Sequence, residues 1–118
     1  MHSDTTIQVN LAFANGAGSP GYITAPFDCT VLDVQCTAQG DPGDAETVTV
    51  SEGGTTVGVA TFGTDIAAGA KATYVADTTN GDRVVDKGDV ITLTPSNGDA
   101  AANCHCNLIL DPYKRGQL

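Results

Sequence analysis

The feature that most constrains this chain is a period of two. Threonine, present 16 times, alternates with aliphatic residues along much of the sequence, as in Thr47-Val48-Thr49-Val50 and Ile91-Thr92-Leu93-Thr94. Successive strand residues point to opposite faces. β-branched side chains at alternate positions therefore suit a pleated surface with one dry and one wet side. No window carries a convincing helical period. The nearest, Asp65 to Lys71, has Gly69 within it.

Turn chemistry divides the alternating stretches. The first strand is expected from Ile7 to Phe13, with Ile7, Val9, Leu11 and Phe13 on one face, followed by a Gly-rich loop from Asn15 to Gly21. Tyr22 to Ala38 is too long for one strand. Pro26 lacks an N–H and should break it into Tyr22–Ala25 and Phe27–Ala38. The clearest hairpin runs out along Thr47–Ser51, turns at Glu52-Gly53-Gly54-Thr55 and returns through Val57 and Val59. Further strands are expected near Ala70–Ala76, Arg83–Val85, Val90–Thr94 and Asn103–Leu110, with turns at Asn80-Gly81, Asp86–Asp89 and Asn97-Gly98. About eight strands at this spacing imply an all-β fold. The expectation is one small antiparallel β-sandwich or barrel, jelly-roll-like, spanning 1–118, with 1–5 and 113–118 as extended tails.

The core of such a fold would be lean. Val, Ile, Leu, Met and Phe make up 26 of 118 residues, there is no Trp, and much of the remaining apolar content is Ala. A domain this size buries only about two-thirds of its unfolded surface. Symmetric association, docking on a larger partner, or disulfides are the natural supplements. The net charge of −9 argues against nucleic acid and against an anionic membrane surface, both of which attract clustered Lys and Arg. No apolar stretch has the length of a membrane span, and Met1–Thr6 lacks the basic and apolar regions of a secretory signal. Synthesis in a cytoplasm is the expectation.

Groups for catalysis are sparse. His2 falls in the N-terminal tail. His105, between Cys104 and Cys106, points to the opposite strand face from both and cannot form a Cys–His pair with either. No serine sits in a nucleophile elbow, and no Gly-rich loop carries the Lys and Ser/Thr that hold a phosphate. The acids Asp41, Asp44, Asp82, Asp86 and Asp89 lie in turns without the alternating spacing of a calcium loop. The expectation is a protein that is not an enzyme and needs no cofactor.

The cysteines, Cys29, Cys36, Cys104 and Cys106, carry the most information. Cys104 and Cys106 should share a face with Leu108 and Leu110, and Cys36 with Leu32 and Val34. Buried free thiols, disulfides within the chain or between subunits, and a zinc site all remain open. Cys-x-Cys lacks the usual two-residue spacer, and Cys29 and Cys36 fall on opposite strand faces by parity, so no metal ligands are assigned. Pairing of Cys36 with Cys104 or Cys106, or cysteine links between neighbouring subunits, is the expectation if bonds form.

The segments Pro26–Leu32, Thr47–Val50 with Gly53–Gly58, Asp77–Gly81 with Val85–Leu93, and Asn107–Pro112, taken together, resemble the short decoration, or cement, proteins of tailed-bacteriophage capsids. The resemblance covers roughly Tyr22 to Pro112. It implies a structural virion protein on the capsid exterior, often a homotrimer, that binds the major capsid protein and stabilises contacts between its subunits. Four cysteines are a departure from that family. A particle released by lysis enters an oxidising medium, where disulfides can form. Candidate docking elements are the N-terminal segment through Asn10, with Ile7 and Val9, and the Lys114-Arg115 tail. The alternative is a receptor- or glycan-binding β-sandwich module of a fibre or head appendage, although Tyr22, Tyr74 and Tyr113 are scattered.

Overall fold

The computed structural model describes residues 5–13, 20–39, 46–63, 69–96 and 102–112. These form eight strands: β1 (Thr5–Phe13), β2 (Gly21–Thr24), β3 (Cys29–Ala38), β4 (Thr47–Glu52), β5 (Thr55–Thr61), β6 (Thr73–Ala76), β7 (Val90–Pro95) and β8 (Ala102–Pro112). A three-stranded sheet has the order β1-β8-β3, and a five-stranded sheet has the order β2-β7-β4-β5-β6; all pairings are antiparallel. The expected small β-sandwich is the fold. Strands β1 and β8, β2 and β7, and β4 and β5 pair as nested partners around the middle of the chain, the wrapping of a jelly roll. The remaining nested pair, β3 with β6, is replaced. β6 adds to β5, while the chain just before it bridges β3 at Thr37 and Lys71.

The core lies between the sheets. Leu108, Leu110 and Val34 from the smaller sheet meet Val48, Val50, Val57, Ile91 and Leu93 from the larger one, with Phe62 and Val85 completing the set of large, fully buried side chains. The period-two pattern produces this directly. In β4, Val48, Val50 and Glu52 are buried while Thr47, Thr49 and Ser51 are half-exposed.

The β4–β5 hairpin turns on Gly53 and Gly54, both at positive φ (58° and 82°), the two-residue geometry whose twist matches the flanking strands. Pro26 breaks the second apolar block as expected. β2 ends at Thr24 and β3 begins at Cys29. The Asp86–Asp89 turn docks on this break. The Gly88 N–H donates to Ala25 O (2.9 Å), Ala25 N–H donates to Asp89 O (2.8 Å), and Lys87 N–H donates to Asp28 Oδ1 (2.8 Å).

Three expectations need correction. Arg83–Val85 is not a strand, because the preceding segment winds into a turn. The Asp77 carboxylate accepts from Thr79 N–H (3.0 Å) and Asn80 N–H (2.8 Å), and Gly81 N–H donates to Asp77 O (2.9 Å). Only Val85 pairs, in an isolated bridge with Cys29. Leu32 does not share the inner face with Val34 and Cys36. A bulge between Val31 and Asp33 leaves it without a ladder partner and 46% exposed, while Val31 turns inward. Thr5, expected in a tail, already belongs to β1. The tails 1–4 and 113–118 and the Asn97-Gly98 turn lie outside the described residues, as do the side chains of Leu11 and Phe13.

Candidate functional site

The inner face of the three-stranded sheet gathers three sulfurs. Cys36 of β3 lies directly opposite Cys106 of β8, and Ala38 opposite Cys104. Cys36 O accepts from Ala72 N–H (2.9 Å) on the flank away from β8. Cys36 and Cys106 therefore form a non-hydrogen-bonded pair, in which opposed side chains come closest. Ala38 offers only a methyl group opposite Cys104, leaving space for that side chain to lean along the strand. Cys104 Sγ and Cys106 Sγ are 3.7 Å apart, and the sulfurs of Cys36, Cys104 and Cys106 all lie within 4.8 Å of one another. Each residue is at most 1% exposed.

Sulfur–sulfur contacts and burial set the protonation of the trio. Hydrogen bonding from Cys106 first, then Cys36, pulls Cys104 down, against the opposing effect of burial. The same contacts hold Cys106 up, through Cys104, Cys36 and burial in that order. Cys36 is likewise held up, mainly by its bond with Cys104. The three thiols lie close enough to titrate together rather than one by one.

All four cysteines are free thiols. The 3.7 Å sulfur separation is far beyond the roughly 2.05 Å of a disulfide. Cys29 stands apart. About seven strand residues at roughly 3.3 Å each separate it from Cys36. It is nevertheless fully buried, because the Leu32 bulge reverses the parity that would have placed it outside. Burial, then Asp28, pushes its thiol up to about 11. His105 points outward as expected, where Gln8 Nε2 donates to its Nδ1 (3.3 Å).

Ile7 and Val9 sit opposite Leu108 and Cys106 and pack, half-buried, against the core. Lys114 and Arg115 lie outside the described residues.

The outer face of the five-stranded sheet was not singled out by the sequence. Its rungs run Tyr22–Thr92–Ser51–Thr56, then Thr94–Thr49–Val59–Val75, with Thr47, Thr61 and Thr73 beyond. None of these residues is charged, in a chain of net charge −9. Tyr22 (68% exposed), Val75 (65%) and Val90 (44%) add apolar surface near its two edge strands. The signal was available: the polar member of each alternating pair in β4 and β7 is Thr or Ser, apart from the terminal Glu52. The outer face of the smaller sheet differs, carrying Asp33, Gln35, His105, Asn107 and Asp111.

Beneath this sheet, Tyr74 lies over Gly58. A Cβ on Gly58 would fall 2.2 Å from Tyr74 Oη. That hydroxyl is buried without a hydrogen-bond partner. Burial, then Asp33 and Asp77, pushes it up to about 12. At the sandwich edge, Glu52 Oε1 accepts from Arg83 Nε (2.9 Å). At the other end of β4, Glu46 accepts from Ser96 Oγ, which accepts in turn from Thr47 N–H (2.8 Å). Both glutamates are thus bonded structural groups. Among the described residues no helix is long and apolar enough to cross a membrane. Comparison with known proteins finds no matching family model, no matching curated protein and no matching solved structure.

Proposed function

We propose that this chain is a non-enzymatic structural protein that docks on the exterior of a tailed-phage capsid and reinforces contacts between major capsid protein subunits, as a homotrimer. The observation that carries this reading is the charge-free outer face of the five-stranded sheet. A strongly acidic protein repels most acidic partners and copies of itself. Among the described residues, a broad face of Thr, Ser, Val and Tyr is the strand surface where close approach carries no ionic desolvation cost. Hydroxyls are readily satisfied across an interface, and the β-branched methyl groups add apolar burial. The lean core favours the same conclusion, since attachment to a lattice stabilises a marginal fold by mass action. The resemblance of Pro26–Leu32, the β4–β5 hairpin and Asn107–Pro112 to capsid decoration proteins supplies the partner.

The test is co-sedimentation with capsids that lack this protein, followed by imaging of the decorated shells. The expected outcome is saturable binding at fixed lattice positions, in threes, abolished by Thr92→Lys. Absence of binding to intact shells overturns the reading. A glycan-array signal that depends on exposed Tyr22 would favour a glycan-binding module instead.

A further inference from the structure

We propose that Cys36, Cys104 and Cys106 form a three-sulfur site for one thiophilic d10 cation, copper(I). Capsid docking neither requires nor uses these residues, so this site is independent of that reading.

Geometry is the first support. Two cysteines at i and i+2 on one strand face have Cβ atoms about 6.6 Å apart or slightly more. Their side chains need not meet, yet the Cys104 and Cys106 sulfurs converge to 3.7 Å, and Cys36 closes the group within 4.8 Å. Sulfurs bonded at about 2.3 Å to one ion stand about 3.8 to 4 Å apart, whether the angle is tetrahedral or trigonal. The cluster is close to that size, with all three donors on a rigid two-strand frame.

The donor set selects the ion. Soft thiolates favour copper(I), zinc and iron–sulfur centres over hard cations. Structural zinc takes four protein ligands. Among the described residues no fourth His, Cys, Asp or Glu joins the group, and His105 faces the other way. Packing in the apolar interior further disfavours a fixed water as fourth ligand. Copper(I) accepts three-coordination. One copper(I) ion enters, the coordinated thiols give up their protons to solvent, and no electron is transferred. The bound cation offsets one of the three thiolate charges that would otherwise be costly in this interior. A cleft of ≈ 590 Å³ between β3 and the 71–74 segment is lined in part by Cys36, Thr37, Lys71 and Tyr74, and provides an entry route.

The test is an anaerobic titration of the reduced full chain with copper(I) against a chromophoric copper(I) chelator. One equivalent should be withheld from the chelator, with sulfur-to-copper charge-transfer absorption in the ultraviolet. X-ray absorption on the unmodified protein should report three sulfur neighbours, a readout that needs no variant. Cys36→Ala, Cys104→Ala and Cys106→Ala, checked for folding by circular dichroism, should each weaken binding at least about tenfold, while Cys29→Ala leaves it unchanged. The proposal is overturned if the chelator keeps all the copper, if fewer than three sulfurs surround the ion, if Cys29→Ala weakens binding as much as the others, or if equimolar zinc(II) displaces copper(I).

Discussion

The two sheets invert each other. The three-stranded sheet has an ordinary outside, with amides, acids and a histidine, and an unusual inside, where four thiols sit among Leu and Val. The five-stranded sheet has a mainly aliphatic inside and an unusual outside, a hydroxyl and β-branched surface without charge. One sheet keeps its reactive chemistry away from solvent, while the other keeps ionic chemistry away from its surface. Core packing and surface chemistry can thus be varied on separate faces of one small molecule.

Substitutions on the two sheets should separate these roles. The largest loss is expected from Leu108→Ala and Leu93→Ala, one from each inner face. Both side chains are fully buried, and each truncation should cost about 2–5 kcal/mol in urea unfolding. If only one proved costly, the shared core would not be shared equally. Next comes Gly58→Ala, which forces Tyr74 to move and should cost about 1–3 kcal/mol by the same measurement. Pairing it with Tyr74→Phe should recover part of the loss. That variant removes the buried, unpartnered hydroxyl that the new methyl group would strike.

A pH series sharpens the contrast further. The raised thiol of Cys29 keeps its proton in the folded chain from its ordinary value of 9.0 up to about 11, while the unfolded chain loses it. The unfolded state then binds fewer protons, so stability falls as pH rises through this window. Cys36 and Cys106 act in the same direction, while Cys104, pulled down, acts oppositely until the unfolded thiol has titrated above its ordinary value of 9.0. The urea midpoint should drop between pH 9 and pH 10.5, and Cys29→Ala should show a shallower drop. A midpoint independent of pH across this range would mean that the folded chain does not hold these thiols protonated. The smallest stability effect belongs to the outer face of the five-stranded sheet. Thr92→Lys should change unfolding by less than about 0.5 kcal/mol. The same substitution should abolish capsid co-sedimentation, so stability and docking would part at a single position.

Much of this fold was legible in the sequence because period two and turn chemistry are local signals. The Gly53-Gly54 hairpin, the break at Pro26 and the inward Cys104-Cys106-Leu108-Leu110 face all follow from a few neighbouring residues. The misreadings came where a long-range contact or a backbone irregularity intervened. Val85 looked like part of a strand, yet the Asp77 side chain captures the preceding backbone and leaves a single bridge. Leu32 looked inward by parity, and Cys29 outward, because nothing in Cys29–Ala38 announces a bulge. The convergence of Cys36 on Cys104 and Cys106 depends on the β3–β8 register, which joins residues some 70 positions apart. The sequence placed these side chains on inner faces but contained no local indication of the rung at which they meet.

The extra residue at Leu32 acts as a phase shifter. On one side of it odd-numbered positions face inward, Cys29 and Val31; on the other, even-numbered ones do, Val34, Cys36 and Ala38. Removing it would be a frameshift written in side-chain alternation rather than in codons. Hydrogen-bonded rungs could re-form along the whole strand, yet one half would be inside out, with either Cys29 or the sulfur trio's Cys36 delivered to water.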